Sequence, residues 1–218
     1  MPTAQTETQK AYDFVAKEYA NEFRDELSKK PFDRKMLDWL VEKVNGAGQI
    51  CDMGCGPGQL AGYLSARGID ARGIDLSAEM VQQAKTLNPD VHFQQGDMLA
   101  LTEIGDDTFG GIAAFYSIIH IARPLVVDAL RELKRTLRPR GVLLITFHIG
   151  QETVHRDEFL GKEISLDFHF FETGEMKSYL ADAGFVLEEV ITRDPYADVE
   201  YPSRRAYIFA RKPQQPIN

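Results

Sequence analysis

Gln49 to Leu64 reads Q-I-C-D-M-G-C-G-P-G-Q-L-A-G-Y-L. Ile50 and Cys51 form a short apolar strand, Asp52 closes it, a glycine-rich turn follows, and a helix opens near Gln59. Gly54, Gly56 and Gly58 permit a turn that brings backbone close to a ligand. The helix after them turns its free N–H groups and positive dipole end into the same crevice. A ligand here sits at the carboxyl end of a parallel strand, where open α/β sheets bind. Dinucleotide sites need a third glycine at position 59, which is Gln59, and a carboxylate at the strand end repels a pyrophosphate. Asp52 suits a ligand with a cationic amino group.

Successive units repeat the pattern. Ala71–Ile74 is a strand ending in Asp75, then Leu76, with Ser77 opening a helix. Asp75 follows Gly54 by 21 positions, the distance at which an acid ending the second strand meets a ribose. Val91–Gln95 is a third strand, running into Gly96-Asp97-Met98. The D-x-G-C-G-x-G stretch, Asp75 and Asp97 at successive strand ends closely resemble the class I S-adenosylmethionine-dependent methyltransferases. The resemblance runs over roughly residues 10–211 and is strongest from Gln49 to Gly150. It implies S-adenosylmethionine as cofactor and S-adenosylhomocysteine as product. Asp52 and the Gly54 backbone would take the methionine amino end, with Cys55, Gly56 and Gly58 completing the turn. Asp75 would take the ribose hydroxyls, Asp97 the adenine amine, and Leu76 and Met98 the adenine faces. The implied fold is a Rossmann-like, seven-stranded, mostly parallel sheet with helices on both faces, an N-terminal helical lid and an insertion after strand five. One methyltransferase domain would fill residues 1–218, with the lid at 9–46 and the insertion at 149–172.

Residues 1–8 and the P-Q-Q-P-I-N tail read as loose. Gln9 to about Ser28 is helical, with Tyr12, Val15, Ala16, Tyr19 and Phe23 on one face. A second helix follows Pro31, with Asp33 as N-cap. The Y-D-x-x-A-x-x-Y pattern resembles the family's lid: Tyr19 would face the cofactor and Tyr12 the acceptor, or both pack on the sheet edge. Asp107 to Tyr116 is strand four. Its F-G-G-I start carries Gly110 where relatives have an acid, a departure that loosens the preceding loop. Its end, Y-S-I-I-H, places Tyr116, Ser117 and His120 where the methyl emerges. Arg123 to Leu137 is a helix with Leu125, Ala129, Leu133 and Leu137 as a core stripe. In L-R-P-R-G, Arg140 replaces the first glycine of the family's L-x-P-G-G before strand five. In the insertion Ile164, Leu166, Phe168 and Phe170 alternate with polar or aromatic neighbours, a strand-like period that folds over the site.

An aligned sulfonium needs little more than an oriented acceptor; a base helps when the acceptor must lose a proton. Of five histidines, His92 reads as structural on a buried strand. His120 and His148 follow adjacent strand ends, and either could act as base or orient the acceptor; His169 and Arg204 join Tyr12 and Ser117 in the acceptor pocket. Arg205, beside Arg204 at the start of the last strand, also stands near the acceptor mouth, where one of the two could pair with an acceptor carboxylate. No spacing points to a metal. The net charge of −8 argues against a nucleic-acid partner. No apolar run reaches membrane-spanning length, and both cysteines lie inside the motif, so the expected location is cytoplasmic, without disulfides. The expected acceptor is a small molecule. Protein or RNA methylation and a non-catalytic S-adenosylmethionine-binding regulator are the alternatives.

Overall fold

The computed structural model describes residues 4–214; residues 1–3 and 215–218, which belong to the two termini read above as loose, lie outside them, whereas residues 4–8 are helical. A helix, α1 (Ala4–Phe23), and a short 3-10 turn (Glu26–Lys29) precede α2 (Pro31–Val44). Two βα units and a third strand follow: β1 (Ile50–Met53), α3 (Gln59–Ser65), β2 (Ala71–Asp75), α4 (Ala78–Leu87) and β3 (His92–Gln95). Then come β4 (Phe109–Phe115), α5 (Val126–Thr136) and β5 (Leu137–His148). A hairpin, β6 (Thr153–Phe159) and β7 (Lys162–His169), leads to α6 (Thr173–Asp182), β8 (Val186–Arg193) and β9 (Arg205–Arg211).

The main sheet has the order β3-β2-β1-β4-β5-β9-β8. Its first five strands are parallel, and β9 runs antiparallel to both β5 and β8. Order reverses between β1 and β4, so the crevice opens at their carboxyl ends, beside the glycine turn. Alternate residues feed two cores. Leu143, Ile145, Phe147, Ala206 and Ile208 pack with α5 and α6. Val142, Leu144, Tyr207 and Phe209 pack with α2, α3 and α4. The parity of β9 therefore turns Tyr207 toward α2.

Several local expectations are corrected. The N-cap of α2 is Lys30, with Pro31 at the first helical position; Asp33 lies inside the first turn, 1% exposed. His92 is exposed because β3 is an edge strand. Leu125 is exposed in the 3-10 turn before α5. Gly110 does not loosen its loop. A Cβ there would stand 2.9 Å from the Ala47 carbonyl carbon and oxygen, and Gly110 N donates to Gln49 O at 2.9 Å. The acid of the family pattern is missing because backbone occupies its place. Arg140 adopts φ +66°, the left-handed turn that the family's glycine serves.

The hairpin turns on Leu160 and Gly161, both at positive φ, as a two-residue connection requires. It lies against α1: Lys162 Nζ donates to Phe14 O at 2.7 Å and pairs with Glu18 at 2.8 Å. No helix among the described residues is long and apolar enough to cross a membrane.

Candidate active site

A cavity of about 880 Å³ opens at the carboxyl ends of β1, β2, β4 and β5, under α1 and the hairpin. Its inner wall is the glycine turn. Gly54 N and Cys55 N donate to Ile74 O at 2.7 and 3.1 Å, tying the turn to β2. Gly54 has φ +73°, and a Cβ there would fall 2.3 Å from the Ser117 Cβ, so no side chain fits. Ser117 in turn donates to Met53 O at 2.7 Å. Asp52 is buried and accepts from Ala61 N at 3.1 Å, within the first turn of α3. Asp75 accepts from Gly56 N at 2.7 Å and Ser77 N at 2.9 Å. Burial disfavours both charges, lifting Asp52 to about 7 and Asp75 to about 6 against the bonds from Ala61, Ser77 and Gly56. Two carboxylates held at such a cost facing one cavity are matched to a cationic or hydroxyl-rich ligand. Leu76 and Met98 supply apolar wall beside them.

The structure brings Tyr12, Tyr19, Asp52, Gly54, Cys55, Gly56, Asp75, Leu76, Met98, Tyr116, Ser117, His120 and His148 to this one cavity. Four expected members stand elsewhere. Gly58 sits beneath the turn against Phe93 and Asn88, packing the start of α3 on the sheet. Asp97 does not line the cavity; its Oδ1 accepts from Leu99 N of its own turn at 2.9 Å and from Gln5 Nε2 of α1 at 3.2 Å. His169 faces away and meets the Thr153 hydroxyl across the hairpin at 2.9 Å. Arg204 is exposed and reaches Thr192 and Asp194.

His120 joins three elements. Its Nδ1 faces the Asp167 carbonyl of β7 at 3.0 Å, and a carbonyl only accepts, so Nδ1 carries the proton. Nε2 then accepts from the Tyr12 hydroxyl of α1 at 2.8 Å. Burial lowers His120 to about 4 and, with Arg205 and Lys30 adding to it, His148 to about 3. Both imidazoles are neutral at pH 7 and weak as bases. His148 Nδ1 pairs with Ser203 Oγ at 2.7 Å.

The rings make two groups. Tyr12, Tyr19, Phe159, Phe168 and His120 form a closed circuit with centroids 4.9–6.3 Å apart, drawn from α1, β6, β7 and the end of β4. Deeper toward β9, His148 stacks on Phe170 at 4.9 Å and 22°, with Tyr116 beside it and Tyr201 at the edge. A charged set borders this second group: Lys30, Asp33, Glu200 and Arg205 line the cavity. Of these four the sequence reading places only Arg205 near the acceptor; positions 30, 33 and 200 meet it only once β8 and β9 have paired. Among the described residues no three His, Cys, Asp or Glu side chains converge as a metal site requires.

Residues 50–141 match the family model described as a methyltransferase domain. Trans-aconitate 2-methyltransferase from Azoarcus sp. (strain BH72) is 35% identical over 104 residues, 47% of this chain and 40% of that protein. The matched stretches span 38–64% of four curated relatives' own lengths. Among solved structures, magnesium protoporphyrin IX methyltransferase (ChlM) from Synechocystis PCC 6803 with bound SAM has a TM-score of 0.73 at 16% identity, over 97% of this chain and 98% of that one. The [4+2]-cyclase SpnF has a TM-score of 0.72 at 20% identity, over 98% of this chain and 97% of that one.

Proposed function

We propose that this chain, whose residues 50–141 match a methyltransferase-domain model, is a class I S-adenosylmethionine-dependent methyltransferase that methylates a small-molecule acceptor. One observation carries the reading: the acid-ended strands β1 and β2, the turn at Gly54 and Gly56, and Met98 line the same cavity as the aromatic wall of Tyr116, His148 and Phe170. At about 880 Å³ the cavity lies high in the ~300–1,000 Å³ range of small-molecule sites, which leaves room for two ligands in contact. The residues present fit the cofactor. Asp52 would face its ammonium group, Asp75 its ribose hydroxyls, and Leu76 and Met98 its adenine. The bound cofactor supplies an electrophilic methyl group. The chain's own contribution is to hold the acceptor in line beside it and to exclude water under α1 and the hairpin. Relatives whose names specify small acceptors support the substrate class, and the net charge of −8 disfavours a nucleic acid.

The test is titration calorimetry with S-adenosylmethionine and S-adenosylhomocysteine on wild type and Asp75→Ala, followed by a labelled-methyl screen of small acceptors. Micromolar binding lost in the variant, then label transfer, is expected. A folded wild type that binds neither ligand overturns the reading.

A further inference from the structure

Asp33 is 1% exposed yet borders the cavity, and the hydrogen bonds around it have a direction. Arg193 Nε donates to the Tyr207 hydroxyl oxygen at 2.9 Å, since an arginine cannot accept. Tyr207 gives its own proton to Asp33 Oδ1. The Tyr207 oxygen also lies 3.3 Å from the Tyr116 hydroxyl. With its proton committed, Tyr207 accepts there and Tyr116 donates. The Tyr116 oxygen keeps acceptor capacity of its own, on a side chain that lines the cavity. Tyr116 also has φ +51°, a conformation that a non-glycine residue holds only when its surroundings impose it.

We propose that Tyr116, Tyr207 and Asp33 form a relay that removes the proton of an acceptor hydroxyl carried on a flat ring, seated against His148, Phe170 and Tyr201. The proposal rests on the methyl-transfer reading and deepens it. The acceptor oxygen's lone pair forms the bond to the methyl carbon, and the pair of the broken bond stays on sulfur. The acceptor's proton passes to the Tyr116 oxygen, the Tyr116 proton to Tyr207, and the Tyr207 proton to Asp33. One positive and one negative charge vanish together, so the site's net charge is unchanged.

The surroundings of Asp33 suit a proton sink. Lys30 from the segment before α2, Arg193 from β8 and Tyr207 from β9 face it. Burial outweighs all of them and pushes its carboxyl above the usual range. Arg193 is also held by Glu200 through bonds of 2.6 and 2.8 Å, so it keeps an anionic partner when Asp33 is neutralised. The two histidines are poorer sinks: each is neutral, weakly basic and already bonded.

The probe is 4-nitrophenol, whose phenolate is yellow, added to protein saturated with S-adenosylhomocysteine. In wild type the bound probe should turn yellow about one pH unit below the free probe, a tenfold shift in its ionisation. Asp33→Asn and Tyr207→Phe should still bind S-adenosylhomocysteine and, at a pH where the probe is neutral, the phenol, but lose the roughly tenfold preference for the phenolate, so that the bound probe's ionisation returns to that of the free probe. Tyr207 does not border the cavity, so Tyr207→Phe breaks the chain without altering the wall; thermal melts establish which variants are folded. Equal ionisation in wild type and a folded variant overturns the relay. So does a probe that fails to bind loaded wild type. A wild type that does not bind S-adenosylhomocysteine overturns the cofactor reading, and the relay with it.

Discussion

Asp52 and Asp75 show how the site trades stability for charge. Burial lifts them to about 7 and about 6 from an ordinary 3.8. An acid whose folded pKa is raised stabilises the fold while protonated, and that contribution is lost as pH rises through the folded value. A cationic ligand wants the opposite, ionised form. Affinity for S-adenosylmethionine should therefore rise between about pH 5 and 8, with proton uptake by the buffer on binding. Calorimetry in buffers of different ionisation enthalpy measures this, and Asp52→Asn should flatten the profile. Arg140 makes a second residue-scale case. Its exposed side chain sits on a left-handed backbone, a cost of about 1–2 kcal/mol partly offset by the unfolded-state entropy a glycine would add. Arg140→Gly should raise stability by about 0.5–1 kcal/mol in denaturant melts. Both effects attach to residues that the sequence already marks, an acid at a strand end and an arginine in a glycine's place. Asp33 carries no such mark. A helix-start aspartate reads as a cap, and only the return of β9 shows that it faces Tyr207 and Arg193 instead.

At the scale of elements, two of the misplaced site residues are errors of parity. Of Arg204 and Arg205, both read at the acceptor mouth, only Arg205 lines the cavity; His169 is read in the pocket, and Phe168 and Phe170 are there. Successive strand residues face opposite sides, so locating a strand is not enough to say which face its residues present. The register of β9 on β5, with His148 opposite Arg205 and Thr146 opposite Tyr207, decides it, and register is a long-range property. Elements themselves are largely legible: the glycine turn, the acid-ended strands and the period of β7 are all local patterns. What is not legible is the fastening between them. His120 links α1 through Tyr12 and β7 through Asp167 O. His120→Ala removes both bonds and leaves the Tyr12 hydroxyl unpaired, a cost of about 1–3 kcal/mol. Amide exchange should speed up in α1 and β7 while β1, β4 and β5 stay protected. The imidazole's folded value, about 4 against an ordinary 6.5, sets the pH sign. This fastening is fully present above about pH 6.5 and is lost as pH falls toward 4, so the wild-type hairpin should become protease-sensitive in that window.

The molecule as a whole draws its cavity wall from nearly every segment: α1, the turn after β1, the ends of β2, β4 and β5, the hairpin, and the loop entering β9. A seven-stranded, mostly parallel sheet is legible because strand and helix patterns alternate along the chain; the convergence of distant segments on one wall is not. That convergence has a thermodynamic consequence. A ligand that binds only the folded state stabilises it by about 2.7 kcal/mol at one hundred times its Kd. For a chain of 218 residues, each kcal/mol moves Tm by roughly 2–4 °C. S-adenosylmethionine at that excess should raise Tm by roughly 5–10 °C in a scanning melt. Because α1, the sheet and the hairpin all wall the cavity, the melt should remain a single transition that shifts as a unit. Asp75→Ala should show almost no shift, although its own melt stays close to wild type: it loses the bonds to Gly56 N and Ser77 N but also sheds a charge that burial disfavours. A shift confined to one of two separate transitions would mean that α1 and the hairpin are not part of the ligand's binding surface. The enclosure that links ligand binding to global stability would then be absent.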